Sequence, residues 1–461
     1  MRSPDLIAAT RFGLGPKAGE LERARPDPVA YVARQLDDAA AATITGLPTT
    51  ADVREVFIDK QRAYREARRA SRRASDEERE ELEAERLRLN RARRDLGRRM
   101  ELAEVAARYR RGVTTDAPFV ERLVLFWSNH LAIERFRLHM RFLAGPYERE
   151  AIRPHVLGDF GAMLRAAIPH PAMLIYLDNA RSVGPNSRVG RRRGAGEVNE
   201  NLAREVLELH TLGAGGGYTQ DDVEALALVL TGWSGGFHVR RRNPVFDRRR
   251  HDFGARTILG KTYRETGEGQ LAAVLTDLAL HPSTATHLAT KLARHVTGDD
   301  ASDALIGAMR DAYIAGGADL GAMTRALVRH PEAWRDAPEK MVPPYDYVVA
   351  GGRALDLPEL PPQFVVEGVS ELGQPLWKPP SPAGWPDADA AFMGGDSLLE
   401  RVDYTREFAQ VHGGGAGDVR VIARALFGDD LDPFVAEAID RAEDQRQALV
   451  LLLMSPPFQR R

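Results

Sequence analysis

Between Asn199 and Tyr218 the chain reads Asn-Glu-Asn-Leu-Ala-Arg-Glu-Val-Leu-Glu-Leu-His-Thr-Leu-Gly-Ala-Gly-Gly-Gly-Tyr, a polar helix followed by a glycine loop. Advancing ~100° per residue puts Leu209, Leu202, Val206, His210, Ala203 and Leu207 on one apolar arc. Arg204, Glu208, Asn201 and Glu205 fall on the opposite arc. His210 is therefore expected in the core, while the oxygen donors Asn201, Glu205 and Glu208, at i, i+4 and i+7, converge outside it. Such a trio suits a hard divalent cation whose shell is completed from neighbouring helices. A carboxylate pair also suits general acid–base work if burial separates the two pKa values. The plainer alternative is a solvated face with an Arg204–Glu208 pair. Glu205 and His210 are too far apart around the helix for a metalloprotease-type motif.

Other polar pairs stand at or near the ends of elements: Asn129-His130, Asp178-Asn179 and His251-Asp252. The candidate catalytic residues are Glu205, Glu208, His210, His130 and Asp252. The candidate metal ligands are Asn201, Glu205, Glu208, His130, Asp178 and His251. Gly215-Gly-Gly217, ahead of a capped helix, offers backbone N–H groups to an anion but matches neither a P-loop nor a dinucleotide fingerprint.

The elements that must position these groups read as helices. Leu6 to Phe12 and Pro28 to Leu36 carry helical spacing around a Gly-Pro break. From Asp52 to about Tyr109 nearly every second residue is charged, which predicts a long helix or helical hairpin held by Glu–Arg pairs three and four apart. Phe119 to Ile133 is a core helix, Tyr147 to Leu177 two short helices, and Arg181 to Gly196 a Gly/Arg/Ser-rich flexible loop. Thr219-Gln-Asp-Asp222 is a capping box opening a helix to about Trp233. Val245 to Tyr263 has the spacing of a short β-hairpin, with His251-Asp252-Phe-Gly254 at its turn. Ser283 to Val296, Ala301 to Ala315 and Leu320 to Val328 are amphipathic helices. From Pro338 onward proline is frequent, notably Pro375 to Pro386, before two final helices near Leu398 to Val411 and Val435 to Met454. The expected fold is mainly α, one multi-helix globular domain over 1–51 and 110–461 with a small β-hairpin, and a charged helical hairpin inserted over 52–109.

Composition removes several classes of function. The 461 residues contain no cysteine, which excludes disulfides, thiolate metal sites, iron–sulfur clusters and a cysteine nucleophile. Lys+Arg is 64 against 66 Asp+Glu, a formal net charge of -2, so no global field attracts nucleic acid, and none is expected as a partner. No apolar run approaches the length of a membrane span. The first residues lack the apolar core of a signal peptide, so the default expectation is cytoplasmic, with a periplasmic or exported location if the true start lies upstream.

Several segments together resemble one bacterial family: Arg11-Phe-Gly-Leu-Gly-Pro16, Phe126-Trp-Ser-Asn-His130, Ile152 to Gly158, Pro171 to Asn179, Asn199-Glu-Asn201 with Ala203-Arg-Glu205, Glu208 to Gly213, Gly217-Tyr-Thr-Gln220, Leu230-Thr-Gly-Trp233, His251-Asp252 and Lys291-Leu292. The family is the one called domain of unknown function 1800, and the resemblance runs almost end to end. It implies no settled activity. Many members are exported and lie beside genes of domain of unknown function 1501, a family resembling sulfatases and alkaline phosphatases, which implies a partner protein or shared pathway. This chain departs from those members in lacking an evident export signal.

Two readings follow. In one, the polar cluster holds a divalent metal or performs acid–base chemistry, with hydrolysis or oxidation as the reaction. In the other, the protein is a non-enzymatic binding or assembly factor that recognises a partner through the charged hairpin and the Pro375 to Pro386 segment.

Overall fold

The structure is a computed structural model, 65% helical, that describes every residue except 1, 195–196, 238–244 and 337–339. Helix starts follow local chemistry. Thr49 and Asp52 form a reciprocal capping box for Thr50–Ser71, as do Thr219 and Asp222 for Gln220–Val229. Asp27, Asp159, Ser302 and Asp319 cap other helices with their side-chain oxygens.

The charged segment folds as a hairpin of two helices, Thr50–Ser71 and Asp76–Thr114. Its root is built into the molecule: Val53 and Phe57 enter one hydrophobic core, and Val105, Tyr109 and Val113 enter a second. Between residues 58 and 96 only Ser71 is buried among those described, so the outer part is a solvated rod.

The first core gathers apolar residues from Ile7 to Ala333 around Phe12, Trp127 and Phe160. The second is made mainly by residues 342–458, with Tyr347, Phe408 and Leu452 at its centre. Trp377 packs against both cores, so the Pro-rich segment runs along the seam. Buried ion pairs flank this seam. Arg122 meets Asp346 at 2.9 Å, and Arg353 meets Glu20 at 2.7 Å. Arg153 meets Glu121 at 2.6 Å and Glu148 at 2.8 Å, and Glu148 also takes Arg108 at 2.9 Å. Each charge is matched where it leaves water, which burial requires.

Three expectations need correction. The hairpin strands are Arg256–Ile258 and Lys261–Tyr263, turning at Leu259-Gly260. Both turn residues have positive φ, 51° and 75°, as a two-residue hairpin loop demands. His251-Asp252 is not the turn because Thr231 holds it elsewhere: His251 Nδ1 donates to the Thr231 carbonyl at 2.8 Å, and the Asp252 N–H donates to Thr231 Oγ1 at 2.8 Å. Within the expected loop from Arg181 to Gly196, Arg188–Arg193 is a helix capped by Ser187, and Val183 bridges Glu197; residues 195–196 lie outside the described residues, as does Pro338. The last expected helix is broken into Pro433–Asp440 and Gln445–Leu453, with Asp444 capping the second.

The segment from Asn201 is α-helical only to Glu205 and continues as a π-helix, Val206–Leu212. Its wider turn, with Thr211 Oγ1 donating to the Val206 carbonyl at 2.6 Å, changes the angular phase beyond Val206. Leu209, at the edge of the apolar arc by an α-helical count, is half exposed, while Thr211, which the same count puts beside Arg204 on the polar side, is buried. Further π-helical turns occupy Ala8–Phe12 and Glu148–Ile152. No described helix is long and apolar enough to cross a membrane.

Candidate acid–base site

His130 ends the Pro118–His130 helix and His210 sits in the π-helix, and each ring binds the other's backbone. His130 Nε2 donates to the His210 carbonyl at 3.1 Å, and His210 Nδ1 donates to the His130 carbonyl at 3.2 Å. A carbonyl can only accept, so these contacts set both tautomers. His130 Nδ1 keeps its lone pair, and Lys291 Nζ lies 3.1 Å from it. His210 Nε2 is buried with no partner.

Lys291 lies on the helix Pro282–Thr297, with His287 four residues before it and His295 four after, on one stripe of the surface. His287 Nε2 donates to the Leu209 carbonyl at 3.2 Å. His295 Nδ1 donates to Asp387 at 2.8 Å, and Lys340 reaches the other carboxylate oxygen of Asp387 at 3.1 Å. All four histidines thus give one N–H to an oxygen and retain a lone pair on the other nitrogen.

Burial drives the electrostatics. It lowers the pKa of His130, with the Lys291 charge adding to the effect, and it takes His210 down to about 3 and His295 to about 4. Lys291 is lowered too, by burial, against a partial pull upward from Asp387. Among the described residues no carboxylate pairs with its ammonium. The result is an ammonium with weakened hold on its proton, resting on a neutral imidazole.

One residue before His130 in the chain, Asn129 lines a cleft of about 100 Å³ at the seam, together with Ser128, Tyr345, Trp377 and Trp385 among others. Asn129 holds its wall: Nδ2 donates to the Trp385 carbonyl at 3.0 Å, and the Trp385 N–H donates to Oδ1 at 2.7 Å. Gly384 allows this approach, since a Cβ there would stand 2.4 Å from the Asn129 carbonyl and its φ is +89°. Ser128 Oγ and Tyr345 OH are buried without hydrogen-bond partners. Trp377 holds a left-handed backbone, φ 49°, which a bulky residue adopts at a cost.

The residues singled out from sequence are not all in one place. Glu205 and Glu208 are neighbours on the outer face: burial and the Glu208 charge raise Glu205, and Tyr218 OH donates to Glu208 at 2.8 Å. Asn201 is exposed at the helix start, and Arg204 turns to Glu200 and Gln220. Asp178 pairs with Arg137 at 3.2 Å. Asp252 accepts from the Asn186 N–H at 2.7 Å and from Arg256 at 2.7 Å, beside His251. These groups fit a shared cation poorly. His130 uses both ring nitrogens, Asp178 and Asp252 are engaged by arginines, and among the described residues no three His, Asp or Glu side chains stand where one ion could join them. Lys291, His287, His295 and Asp387 were not among the sequence candidates. For His287, Lys291 and His295 the local signal is the i, i+4, i+8 spacing in His-Leu-Ala-Thr-Lys-Leu-Ala-Arg-His, residues 287–295; Asp387 has none there.

Fold and site define a mainly helical protein with a partly buried Lys–His stripe near a cleft at the seam of its two cores. The chain belongs to the family described as protein of unknown function (DUF1800), whose model matches residues 7–460. No curated protein and no solved structure matches it.

Proposed function

We infer that the protein is an acid–base enzyme that needs no metal for its proton transfer, with Lys291 as the group that moves the proton and His130 as the residue that positions it. The observation that carries this reading is the contact of a partly buried, carboxylate-free ammonium with the neutral Nδ1 of His130. Desolvation brings a lysine toward the range where it exchanges protons readily, which is how buried lysines serve as bases and nucleophiles. Asn129, next to His130, and Trp385, close to Asp387, join the cluster to the seam cleft, where a polar substrate would meet the unpartnered Ser128 and Tyr345 hydroxyls. Hydrolysis is the reaction class this set serves most directly: Lys291 moves the proton while the cleft hydroxyls hold the polar substrate.

The test is a panel of ester, amide and phosphoester substrates assayed with chelator-treated protein, followed by Lys291→Met and His130→Gln. The expected result is an activity that survives chelation, falls at least ~100-fold in Lys291→Met, and shows a shifted pH profile in His130→Gln. Activity undiminished in a folded Lys291→Met protein, or restored only by added metal, overturns the reading.

A partner-binding role draws on a different observation. Phe434 is 79% exposed at an apolar groove that also contains Val435, Val450 and Leu451. A protein of the domain of unknown function 1501 family is the first partner to try in a pull-down.

A further inference from the structure

Far along the chain from Lys291, the helix Arg188–Arg193 docks against the turn at Arg248 to Arg250 that precedes His251 and Asp252. The Gly184 N–H donates to the Arg250 carbonyl at 2.8 Å and the Val189 N–H to the Arg249 carbonyl at 2.9 Å. Asp252 clamps the junction through the Asn186 N–H and Arg256. Gly190 is required at the contact, because a Cβ would lie 2.2 Å from the Gly184 carbonyl. The two segments enclose a cleft of about 600 Å³ whose lining includes Arg188, Arg191, Arg192 and Arg248, with His251 and Phe253.

Among the described residues no Asp or Glu lines this cleft, and none of its four arginines pairs with a carboxylate. The neighbouring arginines differ: Arg249 is paired with Asp247, Arg256 with Asp252, and Arg250 with two carbonyls. Arg248 is held over the ring of Phe253, 5.2 Å from its centroid, which orders its guanidinium. His251 is buried, with Nδ1 committed to Thr231 and Nε2 unpartnered. Four unneutralised guanidinium groups around one concavity repel each other until an anion enters.

We propose that this cleft binds a small oligophosphate, a molecule carrying two or more linked phosphate groups. Guanidinium forks match phosphate oxygens in pairs, and several forks around one hollow suit several phosphates. The volume lies within the roughly 300–1,000 Å³ of small-molecule sites. A polymer would call for a basic stripe across the surface, whereas these arginines meet in a hollow on a protein of net charge -2.

The probe is inorganic tripolyphosphate, titrated calorimetrically into the full chain at low and moderate salt. One saturable site is expected, weakening as salt rises. The Arg191→Gln/Arg192→Gln variant and the Arg248→Gln variant should each bind at least roughly tenfold more weakly, with unchanged thermal unfolding because these side chains are exposed. Arg68→Gln/Arg69→Gln, an equal charge change on the hairpin, should bind as the parent does. The proposal is overturned by absence of saturable binding, by binding that the hairpin variant loses equally, or by binding of duplex DNA or phosphatidylserine vesicles without tripolyphosphate binding.

Discussion

His130, His210, His287 and His295 each spend one N–H on a carbonyl or carboxylate and carry an unprotonated second nitrogen into a low-dielectric interior. Protonating them requires charge where water is scarce, so burial lowers the pKa of all four in the folded state. A folded pKa below the unfolded one, ordinarily about 6.5, means the unfolded chain takes up protons first. Stability is then complete above that pH and is lost as pH falls. His210, at about 3, should alone remove ~2 kcal/mol between pH 7 and 5. Urea unfolding at pH 7, 6 and 5 checks this, and a flat profile would contradict it. At this scale the sequence was partly readable. The apolar neighbours Val206 and Leu207 announce that His210 is buried, and the structure leaves it at 0% exposure. Nothing local announces that its ring would lock onto the backbone of His130, eighty residues earlier, or that Lys291 would complete the contact.

Elements explain why. Helical spacing predicted the helices at Phe119, Ser283, Ala301 and Leu320, and the hydroxyl-acid pair predicted the start at Thr219, because these signals are contained in a few consecutive residues. The π-helix after Glu205 lacks such a signal, and it is what turns Leu209 outward. The hairpin turn fell at Leu259-Gly260 because tertiary bonds from Thr231 claimed His251 and Asp252. The Pro-rich segment likewise takes its course from Asn129 rather than from its own composition. Gly384→Ala should free it, since the added Cβ meets backbone at 2.4 Å. The measurement is amide hydrogen exchange: the Trp385 N–H, bonded to Asn129 Oδ1, should lose at least ~tenfold in protection while amides of the Pro118–His130 helix keep theirs. Equal protection in the variant would show that the segment is held elsewhere.

Across the whole molecule, the helical class and charged hairpin were legible from periodicity and charge alone, whereas the seam between the two cores was not. It is made by contacts such as Arg122–Asp346, 224 positions apart, which no window of sequence contains. The hairpin's role divides along its length. Replacing residues 62–92 with a short linker, where Gln61 already touches Arg93, should shift the unfolding midpoint by no more than ~3 °C in a thermal melt, because the removed rod buries almost nothing. A shorter root that removes Tyr109 and Val105 should prevent folding, since both belong to the second core. A large loss of stability from the outer truncation alone would show that the rod supports the fold. The seam also gives the protein its own optical reporter. Of its five tryptophans, Trp377 and Trp385 stand at the cleft, while Trp127 is sealed in the first core. Light absorbed at the cleft is therefore emitted from indoles that feel the arrival of a guest or the parting of the two halves, so both events can be followed by fluorescence with no label attached.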